Sequence, residues 1–164
     1  MGVQTVIVTL AMTGALLLDQ RGAPFTLASM RGHPVAITFV AARCTDACPL
    51  IDAQIARAAR YAERTRSPMR FVTLTLDPQH DRVAQMRNLA DEFHADRAYW
   101  RLATGNVRDV RALMRAFGVV TQIDGHGYPQ AHTTFVYVVD AAGHLSNTIL
   151  PSANLSETLQ ELAR

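Results

Sequence analysis

The stretch Val35-Ala36-Ile37-Thr38-Phe39-Val40-Ala41-Ala42-Arg43-Cys44-Thr45-Asp46-Ala47-Cys48-Pro49 decides the fold. Its first six residues are nearly all apolar and rich in branched side chains, the pattern of a strand buried on both faces. Pro49 suits the first turn of a helix, where a missing N–H costs nothing. Helical periodicity then runs from Leu50 to Arg66, with apolar positions at Leu50, Ile51, Ile55, Ala58, Ala59 and Ala62. Cys44 and Cys48 are the only cysteines in the chain, and they fall where strand hands over to helix. The amino end of a helix carries unpaired N–H groups and partial positive charge, which favour thiolate. Thiolate is both the nucleophile of disulfide chemistry and a ligand for soft metals.

Working outward, Gly14 to Leu18 and Pro24 to Leu27 read as a hairpin that turns at Asp19-Gln20-Arg21-Gly22, with another turn at Ser29 to Gly32. Phe71 to Leu76 is a second buried strand, followed by Asp77-Pro78-Gln79-His80-Asp81 and a helix from Arg82 to His94. Tyr99 to Leu102 is a short strand. Asn106 caps a helix that runs to Phe117 and ends at Gly118. Thr134 to Val139 is a third buried strand, His144 to Ile149 returns as a hairpin, and Ser152 to Ala163 closes the chain as an amphipathic helix. Strands alternating with helices predict an α/β fold over residues 1–164 as one domain. Its central mixed sheet is flanked by helices and preceded by a β-hairpin. A cysteine pair at the first strand-to-helix junction is a thioredoxin-like layout.

Composition sets the outer limits. The chain has 164 residues, 49% of them apolar and 18% charged, which suits a globular core rather than disorder. The net charge of +2 is too weak to imply nucleic acid as a partner. Every basic residue is arginine, and Arg57, Arg60, Arg64 and Arg66 read as one solvated helix face. Val3 to Leu18 is apolar, but nothing basic precedes Arg21, so the charged start of an export signal is missing. The run is short for a membrane span and partly alternates, so it reads as β-structure.

The cysteine spacing is C-x3-C, not the C-x2-C of most disulfide exchangers. Residues four apart share a helix face, so both sulfurs can point the same way. Two such cysteines can also be no more than small buried residues. The partner that favours chemistry is His132, in Ala131-His132-Thr133-Thr134-Phe135 just ahead of the third buried strand. Thioredoxin-like folds often carry proline at that place. Two thiolates and one imidazole suit Cu(I), and Cu(II) is accepted with a further ligand, whereas a structural zinc site prefers a fourth protein ligand. Without the cysteines, His132 reads as a hydrogen-bonded histidine at a strand end.

With these residues in view, the chain resembles the Sco/SenC copper proteins that help assemble cytochrome c oxidase. The resemblance runs from Leu18-Asp19-Gln20-Arg21-Gly22-Ala23-Pro24-Phe25-Thr26-Leu27 through Cys44 to Pro49 and Leu74 to Asp81. It continues with Trp100 to Gly105, Ala116 to Val119 and His132 to Asp140. It implies copper ligands at Cys44, Cys48 and His132. It places a D-P-x-x-D segment on Asp77, Pro78 and Asp81, whose two acids either orient the site or cap the next helix. His80, beside them, reads either as a surface histidine or as an auxiliary ligand, and His126 reads as a loop residue. Thr45, where many members have proline, and Arg43, which favours thiolate and disfavours an approaching cation, depart from the pattern without removing a ligand.

The implied function is delivery of copper, as Cu(I) or Cu(II), to the dinuclear copper site of cytochrome c oxidase. The implied partner is the copper-bearing oxidase subunit or another periplasmic copper chaperone. The implied location is the periplasm, free or tethered through an anchor outside this chain. Two rival roles remain: a thiol-disulfide oxidoreductase, in which Cys44 attacks and Cys48 resolves to reduce the oxidase's copper-site cysteines, and a copper- or redox-sensing interaction module.

Overall fold

The computed structural model describes residues 14–44 and 48–164, with backbone only at Cys48 and Ala131. Leu17–Leu18 (β1) and Pro24–Phe25 (β2) form the hairpin, and a short 3-10 helix follows at Leu27–Met30 where a turn was expected. Val35–Val40 (β3) leads into Cys48–Thr65 (α1), then Arg70–Thr75 (β4), Val83–Glu92 (α2), Trp100–Gly105 (β5) and Val107–Ala116 (α3). Thr121–Ile123 (β6) and Pro129–His132 (β7) pair with each other. Val136–Val139 (β8), Leu145–Ile149 (β9) and Leu155–Leu162 (α4) complete the chain. The expected β-structure over Val3–Leu18 is found at Leu17–Leu18, and residues 3–13 lie outside the described residues.

Seven strands form one mixed sheet in the order β2-β1-β5-β4-β3-β8-β9. The three strands β3, β4 and β5 run parallel, and the outer pairs are antiparallel. Alternate side chains face opposite layers, as a pleated strand requires. Ile37, Phe39, Val72 and Leu74 meet Val110 and Leu113 of α3 on one face. Ala36, Phe71 and Leu102 meet Ile55 of α1, Met86 of α2 and Leu159 of α4 on the other. This is the central mixed sheet with flanking helices and a leading hairpin that the sequence predicts.

The short strand expected over Tyr99–Leu102 is instead a six-residue strand, Trp100–Gly105, near the middle of the sheet. Arg101 and Gly105 hide it in the sequence, and Gln20 completes it. The Gln20 side-chain amide donates to the Trp100 carbonyl at 3.0 Å and accepts the Leu102 N–H at 3.1 Å, replacing ladder bonds that the two-residue β1 cannot supply. Within the sheet, buried Trp100 Nε1 donates to the Thr73 hydroxyl at 2.9 Å, and Thr73 and Thr38 hydroxyls lie 2.9 Å apart. Each of these three buried side chains has a partner for its polar atom, which its desolvation demands.

Candidate metal centre

The chain leaves β3 at Ala41 and turns, with the Cys44 N–H donating to the Ala41 carbonyl at 2.9 Å. Cys44 is half-buried and packs against the apolar layer under α3. Helix α1 starts at Cys48, two residues before the expected Leu50, so the second cysteine and Pro49 occupy its first turn. Leu50 is a correction: it is 66% exposed, not part of the buried face. Asp52 takes the inward place instead.

The D-P-x-x-D segment braces this turn. Asp81 is buried, and one carboxylate oxygen accepts the Ala42 N–H at 3.0 Å and the Thr75 hydroxyl at 2.8 Å. The Thr75 hydroxyl accepts the Asp77 N–H at 2.8 Å. Asp81 therefore ties the end of β4 to the loop that carries Cys44. Burial raises its pKa, opposed by those hydrogen bonds. Asp81 does not cap the next helix: Arg82 is the N-cap of α2, and its N–H donates to the Gln85 side chain at 2.9 Å. Of the two roles open to this acid, bracing the cysteine loop is the one observed.

Asp77 binds His80 instead. His80 Nδ1 lies 2.8 Å from both Asp77 carboxylate oxygens, which holds its Nδ1 as the donor. The His80 ring packs on Tyr128, with centroids 4.6 Å apart. The Arg43 guanidinium covers the same tyrosine at 4.4 Å. Tyr128 thus joins the loop before Cys44 to the segment after β4. It is a site residue that the sequence reading missed. An aromatic between Gly127 and Pro129 was the available signal.

Tyr128 sits at the turn of the β6–β7 hairpin, which sequence left as a glycine-rich loop. Asp124 shapes that turn by accepting the His126 N–H at 2.8 Å and the Tyr128 N–H at 3.0 Å. His126 is exposed in that turn. His132 ends β7, opposite Thr121, and precedes β8 by three residues rather than adjoining it. Its Nδ1 donates to the Thr133 carbonyl at 2.9 Å, so Nε2 is the basic ring nitrogen. The structure thus brings together Arg43, Asp77, His80, Asp81 and Tyr128 around the cysteine loop. No group of three His, Cys, Asp or Glu side chains at metal-binding spacing occurs among the described residues, which exclude the Cys48 side chain.

A cleft of about 250 Å³ opens beside Cys44, lined also by Pro49, Asp52, Leu89, Glu92 and Phe93. Asp52 is 2% exposed, and its Oδ1 has no hydrogen-bond partner among the described residues. Burial, with some repulsion from Glu92, raises its pKa to about 7. Sequence gave no warning of it, because an acid on a helix normally faces water.

Comparison with known proteins fits this frame. The SCO1/SenC family model matches residues 15–164. The SCO2-like protein RP587 of Rickettsia prowazekii is 27% identical over 132 residues, covering 77% of this chain and 63% of the relative. The chain therefore spans less than two thirds of that relative's length. A SCO1/SenC family lipoprotein from Bacillus anthracis superposes with a TM-score of 0.81 at 22% identity, covering 90% of this chain and 89% of the other. Bradyrhizobium japonicum ScoI, solved with copper bound, gives 0.79 at 21% identity, with 92% and 97% covered. The fold is thioredoxin-like, and no helix among the described residues is long and apolar enough to cross a membrane. With nearly its whole length matched by the family model, the chain belongs to the SCO1/SenC family.

Proposed function

We propose that this protein carries copper as its cargo, bound by Cys44 and Cys48 as thiolates and by His132 through Nε2, and delivers it to the dinuclear copper site of cytochrome c oxidase. The observation that supports this most is the position of the C-x3-C motif in a chain of this family: Cys44 lies four residues after the end of β3, and Cys48 is the first residue of α1. Two soft sulfurs and an imidazole form a donor set that suits Cu(I) and accepts Cu(II). The positive end of α1 lowers the cost of the thiolates that copper needs. Asp81, through Ala42, limits how far the Cys44 loop can move. Bradyrhizobium japonicum ScoI, of the same fold, binds copper. The working location is the periplasmic side of a membrane, where the oxidase subunit presents its copper site, and the whole reading treats residues 1–164 as one domain.

A second reading has its own support. The cleft beside Cys44 offers room for a segment of a partner next to the thiol, as disulfide exchange requires. One assay separates the two. Copper-loaded, reduced protein is mixed anaerobically with the metal-free copper domain of the oxidase, its cysteines reduced in one sample and disulfide-bonded in the other. Copper transfer to the reduced domain supports delivery. A parallel sample holds metal-free, reduced protein with the disulfide-bonded domain; reduction of that disulfide with loss of both thiols, and no copper transfer in either copper-loaded sample, replaces delivery with thiol-disulfide exchange.

A further inference from the structure

The amino ends of the parallel strands carry a different feature. A cleft of about 290 Å³ there is lined by Arg70, Arg97, Arg101, His33 and Tyr99, among others. Val35 pairs with Arg70 and Phe71 with Trp100, so this cleft lies at the opposite end of the strands from Cys44, which follows the carboxyl end of β3.

The charges in it do not balance. Arg97 pairs with buried Asp19, whose other oxygen accepts the N–H groups of Arg21 and Ala23. Arg70 lies 4.4 Å over the Tyr99 ring, and one terminal nitrogen donates to the carbonyls of Ser67 and Met69 at 3.0 Å each. Those contacts fix its position without neutralising it. The Arg101 guanidinium lies 4.8 Å over the Phe25 ring and makes no hydrogen bond or ion pair with any described residue. Burial lowers its pKa, and so does Arg97, against the opposing pull of Asp19. Three guanidinium groups line the cleft, Asp19 pairs with Arg97 alone, and the Asp96 carboxylate is engaged by the Ala98 N–H at its rim, so Arg70 and Arg101 have no carboxylate partner in this concave site. Like charges gathered in a partly desolvated place repel, and an anion removes that cost. Guanidinium is weakly hydrated and presents a planar fork that matches the oxygens of phosphate.

We propose that this cleft binds a small phosphate-bearing ligand through Arg101 and Arg70, at a site separate from the cysteine loop. Two guanidinium groups without a carboxylate partner favour a phosphate over a single carboxylate. The concavity favours a small molecule over a flat macromolecular surface.

The test is calorimetric titration of the reduced protein with inorganic phosphate near neutral pH, holding ionic strength constant with sodium chloride. Wild type is expected to show saturable one-site binding. Arg101→Gln is expected to bind at least roughly tenfold more weakly, the loss of about one charge-assisted hydrogen bond. Arg70→Gln, titrated in parallel, covers the case in which the first variant melts early in chloride, and it too is expected to bind more weakly. Glycerol phosphate then distinguishes the sources: tighter binding than phosphate assigns the cleft to a phosphorylated metabolite, and equal binding assigns it to the free ion. Heats no larger than those of chloride overturn the proposal, as does undiminished affinity in the folded variants.

Discussion

At the scale of single residues, the site depends on buried acids with unequal surroundings. Asp81 has two donors, while Asp52 Oδ1 has none among the described residues. Replacing Asp81 with alanine strands the Ala42 N–H and the Thr75 hydroxyl, and is expected to cost about 1–3 kcal/mol in urea unfolding. An unchanged midpoint would remove Asp81 as the brace of the cysteine loop. Asp52 makes a prediction about pH. Its folded pKa of about 7 lies above the ordinary 3.8, so the folded state holds a proton that the unfolded chain releases. Its contribution therefore falls as pH rises from about 4 through 7, and the loss is complete above that range. Asp19 and Asp109 act in the opposite sense. Despite burial, Asp19 is held below its ordinary value by Arg97 and two backbone N–H groups, and Asp109 chiefly by the Leu16 N–H. The informative quantity is thus the difference between wild type and Asp52→Asn. The variant is expected to gain stability relative to wild type between pH 5 and pH 8, by up to roughly 3 kcal/mol. Parallel pH profiles would show that Asp52 ionises normally in the fold.

At the scale of elements, Tyr128 joins the β6–β7 hairpin to the end of the sheet. Tyr128 receives Arg43 on its ring and His80 beside it, and His80 is in turn fixed by Asp77. Tyr128→Ala is expected to speed amide hydrogen exchange across Thr121–His132 while leaving β3 and β4 protected. Exchange unchanged in the hairpin would mean that Tyr128 does not anchor it. This element also marks where sequence stopped being legible. Val35–Val40 could be read residue for residue, because a strand buried on both faces is written as an unbroken apolar run. The Asn106 cap and the Gly118 stop were equally plain, since local chemistry alone sets them. The hairpin was not, because its turn consists of Gly, His and Tyr and its strands are short and half-exposed. Trp100–Gly105 was read too short, because Gln20, eighty residues away, supplies bonds that no local pattern encodes. The proposed ligands Cys44, Cys48 and His132 were chosen from residue type and order alone. The roles of Asp81 and Tyr128 depend on contacts between distant segments.

At the scale of the whole molecule, one sheet separates two ends of different character. The carboxyl ends of β3 and β4 lead to Cys44 and to the Asp77–Asp81 brace, and the amino ends gather arginines. The family and the fold set the expectation that the cysteine end holds copper. The most direct measurement is anaerobic competition for Cu(I) between the reduced protein and a coloured chelator, with wild type beside Cys44→Ala, Cys48→Ala and His132→Ala. Wild type is expected to withdraw one copper per chain. Each variant is expected to lose affinity by about tenfold or more, with its melting temperature little changed. A wild type that fails to compete, or a His132→Ala variant that holds copper as tightly as wild type, would contradict the three-ligand account.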